Sequence, residues 1–498
     1  MHALWEQSIL RYASSTPNQA AVVTPNSQTS YAELSAMAIR VSQLVKNVGL
    51  KPGDVVGIYL PNSEWFAASF FGLARSGMVT LTLSTKYTAE ELQAYLTHRP
   101  IAYLITDTLH LEKIQKITAD LDSDFCMLNI EEARVLDPGL DSGPEPVEAD
   151  TPLLMQFSTG STGKPKAVIR THGNLLAEIA GATRRTQVTA ADRIAAFVPL
   201  FHAHGFANAM CAALFNGATL VTAFDFNPRS ALKRLADERI TIFPAVPFMI
   251  QMIVMTKLKT EIDLGNLRLC FTAGAPLEQS IAQGFTDRFD CAICQLYGST
   301  ETGALALDYS PTDNPNWSSV GVPFDHVDVG VFNESGQCLP QGEIGEIGIL
   351  TSAATKGYDN NPDATQNSFR LNRFFPGDLG LIDATGRLKI TGRKSLFINV
   401  GGNKVDPAEV EAIISQLTGV KEVACVGLPA EYGGELIKAV LVLDSPLARD
   451  AVLQHCVQQL APFKVPKIIE FRDELPRSPL GKILRKFLID PVTREELV

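Results

Sequence analysis

The sequence predicts an α/β protein. A large N-terminal domain of doubly wound, mostly parallel sheets with a small β subdomain is followed by a small, mobile α+β C-terminal domain. Three observations carry this. From Val55 onward short apolar runs alternate with amphipathic stretches, the texture of repeated β–α units. Beyond about Pro323 the runs alternate without long helices between them and are punctuated by Gly336, Gly342, Gly345 and Gly348. After Gly392-Arg393 a compact pattern of helix, strand, helix and strand begins afresh. A chain of 498 residues exceeds one ordinary domain. The boundaries read as 1–392 for the large domain, 393–395 for a hinge and 396–498 for the small domain.

In order, residues 56–60 and 79–83 are predicted strands flanking a helix over 64–75 that turns Trp65, Phe66, Phe70 and Leu73 inward. Strands are expected over 102–106, 153–157, 194–198, 219–223, 240–243, 267–272 and 292–296, with helices over 248–256 and 277–289. Residues 327–332, 346–350 and 388–391 supply short strands of the β subdomain. The last hundred or so residues carry helices over 407–416 and 449–460 and strands over 423–427 and 467–471.

A hydrophobic content of 46% is ample for a core, and a net charge of −11 argues against nucleic acid as the main partner. Local loops rather than the global balance would handle an anionic nucleotide. No basic stretch followed by an apolar core opens the chain, and its most apolar helical candidates, 66–74 and 207–215, are too short to span a bilayer. Of eight scattered cysteines only Cys291 and Cys294 form a CxxC, with no second pair to complete a zinc site. Reduced core thiols and a cytoplasmic location are therefore expected.

Five stretches carry chemistry. The first is Ser158, Thr159, Gly160, Ser161, Thr162, Gly163 and Lys164, followed by Pro165 and Lys166, directly after an apolar strand. Its hydroxyls, backbone N–H groups and cation suit a polyphosphate, whose oxygens each accept several donors. It is not the common P-loop, which places Gly-Lys-Ser/Thr five residues after its first glycine; here Pro165 stands there. The second runs from Phe201 through His202, Ala203, His204 and Gly205 to Phe206: two histidines at a strand end, able to gate an apolar pocket or simply to be half-buried. The third, Thr272-Ala273-Gly274-Ala275-Pro276, would admit a flat ring close to its backbone or form a plain strand-to-helix turn. The fourth, Tyr297-Gly298-Ser299-Thr300-Glu301-Thr302, offers an aromatic face for a purine, a hydroxyl for phosphate and a carboxylate for Mg²⁺. Ligands of doubly wound folds bind at such strand ends. The fifth is Pro476-Arg477-Ser478-Pro479-Leu480-Gly481-Lys482, whose lysine would by itself be only a solvated cation.

Together these stretches resemble the acyl-adenylate-forming superfamily: acyl-CoA synthetases, adenylation domains and beetle luciferases, with the motif pattern nearest to acyl-CoA synthetases. Residues 157–166 resemble its phosphate loop, 201–206 its aromatic/histidine acid-pocket motif, 274–276 its adenine-contacting turn and 297–301 its Tyr-Gly-x-Thr-Glu motif. Gly377-Asp378 is similar to its ribose-binding aspartate, and Gly392-Arg393 to the arginine before the hinge. Gly401-Gly402-Asn403-Lys404-Val405 with Glu409 resembles the glycine segment of the small domain, and 477–482 the catalytic-lysine loop. The likeness covers essentially the whole chain in the family's order.

The resemblance implies an acid–thiol ligase. A carboxylic acid attacks the α-phosphorus of Mg·ATP, giving acyl-AMP and pyrophosphate, and the thiol of CoA then releases AMP. Lys482 would bridge the acid and the α-phosphate, Thr300 would hold that phosphate and Glu301 the Mg²⁺. Residues 158–164 would clasp the β- and γ-phosphates. Tyr297 would stack on adenine beside Gly274, Ala275 and Pro276, with Gly298 in the same turn, while Asp378, assisted by Arg393, would accept the ribose hydroxyls. His202 would stand at the acyl entry, with Phe206, Ala273 and Gly303 lining the pocket. Rotation about Lys394 and Ser395 would withdraw Lys482 and bring Gly401 and Gly402 to line a channel for the thiol arm.

Four positions depart from the family pattern: Ala167 for glycine, Ser395 for an Asp or Lys hinge, Asn399 for a lysine of some members, and Leu480 for Ser, Thr or Asn. An acyl-AMP ligase that loads the phosphopantetheine of a carrier protein would need the same residues. A non-catalytic nucleotide-binding protein is the alternative of a different class. Residues 201–206 contain no acid to pair with an α-ammonium group, which argues against an amino acid as substrate.

Overall fold

The computed structural model describes residues 6–87, 89–98, 101, 103–118, 126–140, 143–159, 165–223, 225–260, 262–309, 316–394, 398–400, 403–429, 435–478, 481 and 483–489. Two large sheets dominate. One has nine strands, with Ala20–Val23, Thr219–Thr222, Arg193–Ala196, Ile242–Ala245, Leu269–Thr272 and Ile293–Ser299 side by side and parallel. The short strand Gln28–Ser30 closes one edge, and Gly303–Leu307 and Val322–Pro323 close the other, all antiparallel. The second sheet runs Cys126–Asn129, Tyr103–Thr106, Val55–Tyr59, Val79–Thr82, Pro152–Thr159, Pro165–Thr171, parallel except for the hairpin of its last two strands.

Helices Tyr31–Asn47 and Glu64–Arg75 belong to the core that these sheets share. In the second helix every residue from Trp65 to Arg75 is buried, which a helix shows only when covered all round. Gly72 permits the close crossing, because a Cβ there would stand 2.5 Å from the Ala38 carbonyl oxygen. Phe70 lies edge-on to Phe206 with ring centroids 4.7 Å apart, so the segment 201–206 is anchored directly in this core.

A third sheet, built mainly from Val327–Phe332, Gly345–Thr351, Asp378–Ile382 and Leu388–Arg393, is antiparallel throughout. The C-terminal region holds the hairpin Ile398–Val400/Asn403–Val405 and the sheet Val420–Pro429, Glu435–Leu443, Ile468–Phe471, packed on helices Pro407–Ile414 and Arg449–Gln459.

Several predicted elements are displaced. The strand expected over 240–243 is Ile242–Ala245 and runs through Pro244, which has no N–H for the ladder. The strand expected to end at Phe157 continues through Ser158 and Thr159, drawn on by antiparallel pairing with Pro165–Thr171, a strand the sequence reading passed over. Glu435–Leu443 was also passed over, although it is the central strand of its sheet. The apolar stretch 207–215 is a wide π turn, Phe206–Cys211, followed by a single α turn, Ala212–Leu214. All eight cysteines are free; six are buried, while Cys126 and Cys338 are exposed rather than core thiols.

Candidate active site

The site is built where the two large sheets meet. Strand Arg193–Ala196 of the first sheet leads into Phe201 and His202, and the second sheet pins that turn. The Thr82 hydroxyl and the Gln156 amide both donate to the Phe201 carbonyl, at 2.8 and 2.9 Å. Buried Asn62 donates to the carbonyls of Ala196 and Val198 and accepts from Leu200 N–H at 2.8 Å. Gly205 has to be glycine, since a Cβ would lie 2.3 Å from the Pro199 carbonyl oxygen. His202 caps the one-turn helix Ala203–Gly205, its ring accepting from His204 N–H at 3.3 Å.

His204 points inward. Its Nε2 donates to the Ala245 carbonyl at 2.9 Å, and Asn208 stands 3.1 Å from its Nδ1. Burial lowers its pKa to about 4, so the imidazole is neutral at pH 7. Phe206 is closed to solvent and packs on Phe70, so its ring holds up the wall of the site from within the core.

The adjacent parallel strands deliver the next residues. Beyond Leu269–Thr272, Ala273 is buried while Gly274, Ala275 and Pro276 are exposed. Gly274 adopts φ +88° with nothing within 4 Å of a hypothetical Cβ, so glycine is needed there for conformation and not for room. Ile293–Ser299 ends in Tyr297, Gly298 and Ser299, followed by Thr300 and Glu301. Gly298 allows a tight return, because a Cβ would meet the Gly303 carbonyl oxygen at 2.4 Å. Gly303 itself, at φ +71°, lies against the buried carboxylate of Glu178, which accepts from Ala304 N–H at 2.8 Å and pairs with Arg170 at 2.6 Å.

Three residues distant in sequence converge on one face. The Tyr297 hydroxyl donates to Asp378 Oδ2 at 2.6 Å, and Arg393 Nε lies 3.3 Å from Asp378 Oδ1. The contact follows from register: Asp378 and Arg393 are directly opposed across strands Asp378–Ile382 and Leu388–Arg393. Burial, and then the Asp378 charge, push the Tyr297 phenol well above its usual value, which keeps it a neutral donor. Next in the chain, Lys394 donates its N–H to the Gly377 carbonyl at 2.7 Å and places its ammonium 3.1 Å from Glu346.

Glu301 is buried and receives a 2.9 Å hydrogen bond on Oε1 from Tyr358, a residue the sequence reading did not single out. Tyr358 bridges to Val168 on the strand after the predicted phosphate loop, and Lys166 Nζ lies 4.8 Å over its ring. Asp359 N–H and the Thr355 hydroxyl extend this seam to the Ala167 and Ile169 carbonyls. On the partner strand the Ser158 hydroxyl is buried with no hydrogen-bond partner among the described residues.

Gly160, Ser161, Thr162, Gly163, Lys164, Ser395, Gly401, Gly402 and Lys482 lie outside the described residues. The neighbours of Lys482 are described: Arg477 and Ile483 form a bridge, and Gly481 lies against Phe248. Phe248 is the second residue of helix Pro247–Met255, which follows strand Ile242–Ala245 after Val246, at the strand end that carries His204's partner carbonyl.

Among the described residues no group of three or more His, Cys, Asp and Glu side chains is arranged to hold a metal, and no helix is long and apolar enough to cross a membrane. A family model described as AMP-binding enzyme matches residues 9–359, and one described as AMP-binding enzyme C-terminal domain matches residues 409–482. The chain is 32% identical over 481 residues to a feruloyl-CoA synthase of Amycolatopsis sp, covering 96% of each protein. It is 29% identical over 490 residues to a long-chain-fatty-acid–CoA ligase of Mycobacterium tuberculosis, again covering 96% of each. The crystal structure of ATP-bound MatB from Rhodopseudomonas palustris superposes with a TM-score of 0.87 at 28% identity, covering 97% of this chain and 98% of that one. With the first match alone spanning well over half of its length, the chain belongs to the AMP-binding enzyme family.

Proposed function

We infer that this protein is an AMP-forming acid–thiol ligase: it activates a carboxylic acid with ATP, releases pyrophosphate, and transfers the acyl group from acyl-AMP to CoA. The observation that carries the reading is the convergence of Tyr297, at the end of a parallel strand of the nine-stranded sheet, with Asp378 and Arg393, opposed on two antiparallel strands of the third sheet, beside Glu301. Tyr297 and Asp378 offer a ring and a carboxylate on one face, suited to adenine and the ribose hydroxyls, with Gly274–Pro276 open alongside. The Ser158 hydroxyl, buried with no hydrogen-bond partner among the described residues, supports assigning 158–164 to the phosphates.

The two reactants are both anions, so attack on the α-phosphorus needs cations and oriented donors at the transition state. Thr300 and Lys482 are assigned that work. Mg²⁺ would supply charge neutralisation on the phosphates, and the donor set fits it. Among the described residues Glu301 commits only Oε1, to Tyr358, and Mg²⁺ characteristically takes one or two protein carboxylates while keeping phosphate and water ligands. His202 is assigned the acyl entrance, with Ala273 and Gly303 beside the pocket. The thiol step is assigned to Gly401 and Gly402 after rotation of residues 396–498 about Lys394 and Ser395. The free cysteines agree with a reducing cytoplasm.

The relatives act on acids as different as ferulate and long-chain fatty acids, so family membership leaves the acid open. A pyrophosphate-release screen over aliphatic, aromatic, dicarboxylic and amino acids identifies it, and running each with CoA and with a holo carrier protein identifies the acceptor. Acid-dependent pyrophosphate release followed by acyl-CoA formation is expected. Release of terminal phosphate alone would refute the reading.

A further inference from the structure

The terminal loop of the small domain is seated on one residue of the large domain. Gly481 approaches Phe248 so closely that a Cβ on the glycine would stand 2.6 Å from Phe248 Cβ and 2.8 Å from Cγ. At φ +77° the same residue occupies backbone space that favours glycine. Arg477 closes the loop from the other side. One Nη donates to the Gly481 carbonyl at 2.6 Å, the other pairs with Glu422 at 2.6 Å, and the guanidinium lies 5.9 Å over the Phe248 ring. Two backbone bonds, Gly481 to Ser478 at 2.8 Å and Leu484 to Pro476 at 2.8 Å, hold the turn together. Phe248 in turn is fixed at the first turn of its helix by Pro247 and by the Met249 N–H bonded to the Val246 carbonyl.

We propose that Phe248 is a positioning residue for the adenylating step: it seats Arg477 and Gly481, the described neighbours of Lys482, the residue assigned to the α-phosphate. The proposal rests on the ligase reading above. The physical argument is that a long, flexible lysine stem stabilises a transition state only when its root is fixed, since a misplacement of about 1 Å can cost up to 10²-fold. An aromatic platform met by a glycine and an arginine plane fixes that root without blocking its release. The contact is small and partly exposed, so it can break when the small domain turns for the thiol step.

The test is Phe248→Ala, with Phe248→Tyr as the conservative control, in the full-length protein. Pyrophosphate release with the best acid is expected to fall about tenfold or more for Phe248→Ala, while conversion of supplied acyl-AMP to acyl-CoA stays within about twofold. Phe248→Tyr, which keeps the ring, should retain most of the adenylating activity. Tryptic cleavage after Arg477 and Lys482 should be faster in Phe248→Ala than in the wild type. Equal losses in both half-reactions, or an unchanged adenylation rate with unchanged cleavage, would overturn the proposal. Absence of pyrophosphate release from the wild type would instead refute the ligase reading, and the cleavage comparison would still decide the seat.

Discussion

Tyr358 and Glu301, distant in sequence, share a buried hydrogen bond of 2.9 Å in which the phenol donates to Oε1. Burial and the carboxylate's charge raise the phenol's pKa, so it remains a donor throughout the working range. Because Tyr358 also bridges to Val168, it ties the Glu301 carboxylate to the hairpin Pro152–Thr159/Pro165–Thr171, to which the phosphate-loop role is proposed. Tyr358→Phe keeps the ring and removes the donor. A hydrogen bond to a charged group is worth about 1.5–3 kcal/mol, so adenylation kcat/KM should fall roughly tenfold or more. In a double-mutant cycle with Glu301→Gln the two losses should be strongly non-additive; simple additivity would show that the bond has no part in placing Glu301.

Asp378 is assigned to the nucleotide and not to the acid. Asp378→Asn should therefore raise the KM for ATP about tenfold, while the KM for the acid changes little. Initial rates at varied ATP and varied acid measure both. An increase confined to the acid would place Asp378 elsewhere in the reaction.

Arg170 and Glu178 form a fully buried ion pair behind the Gly303 turn, with both side chains about 2% exposed. Removing one partner strands a charge in the core, which typically costs about 3–5 kcal/mol. Arg170→Met should lower the urea midpoint accordingly. Adding Glu178→Gln, which keeps an acceptor for Ala304 N–H, should recover a large part of the loss. A fully stable Arg170→Met would mean that the pair is not closed to water.

Acid sensitivity should come from two buried histidines. Burial lowers both His172 and His204 to about 4, against about 6.5 for an exposed imidazole. The unfolded chain thus binds more protons between these values. Stability is complete above about pH 6.5 and declines as the pH falls toward 4, by roughly 3 kcal/mol per histidine. His172 has no hydrogen-bond partner on either ring nitrogen among the described residues, so His172→Leu should flatten part of the slope. Urea titrations at pH 7 and pH 4.5 measure this. An unchanged slope would mean that the ring is hydrated.

Most of the fold was legible because parallel strands read as short apolar runs, and the site residues sit where those runs stop. Tyr297, Asp378 and Arg393 could be named from local motifs, and the cross-strand register that joins Asp378 to Arg393 follows from two adjacent strands. Residues whose role depends on distant partners were not legible. Tyr358 stands in an ordinary Gly-Tyr-Asp segment, and nothing nearby points to Glu301. Phe248 reads as one more apolar residue in a nonpolar helix, and its meeting with Gly481 exists only once the small domain is placed. Gln156 was available as a polar residue in an apolar run, a pattern that signals a buried hydrogen bond, whereas Asn62 stands in the polar run Asn62-Ser63-Glu64 and gave no such signal. Glu435–Leu443 was missed because burial on both faces erases the alternation that marks a half-exposed strand.

The central claim is that Lys482 serves acyl-AMP formation and not the thiol step. Lys482→Ala should be assayed in the two half-reactions separately: pyrophosphate release from ATP and acid, and acyl-CoA formation from supplied acyl-AMP. Loss of one charge-stabilising donor is typically worth about 3 kcal/mol, so the first rate should fall about 10²-fold or more while the second stays nearly intact. Equal loss in both half-reactions, or undiminished pyrophosphate release, would contradict the account.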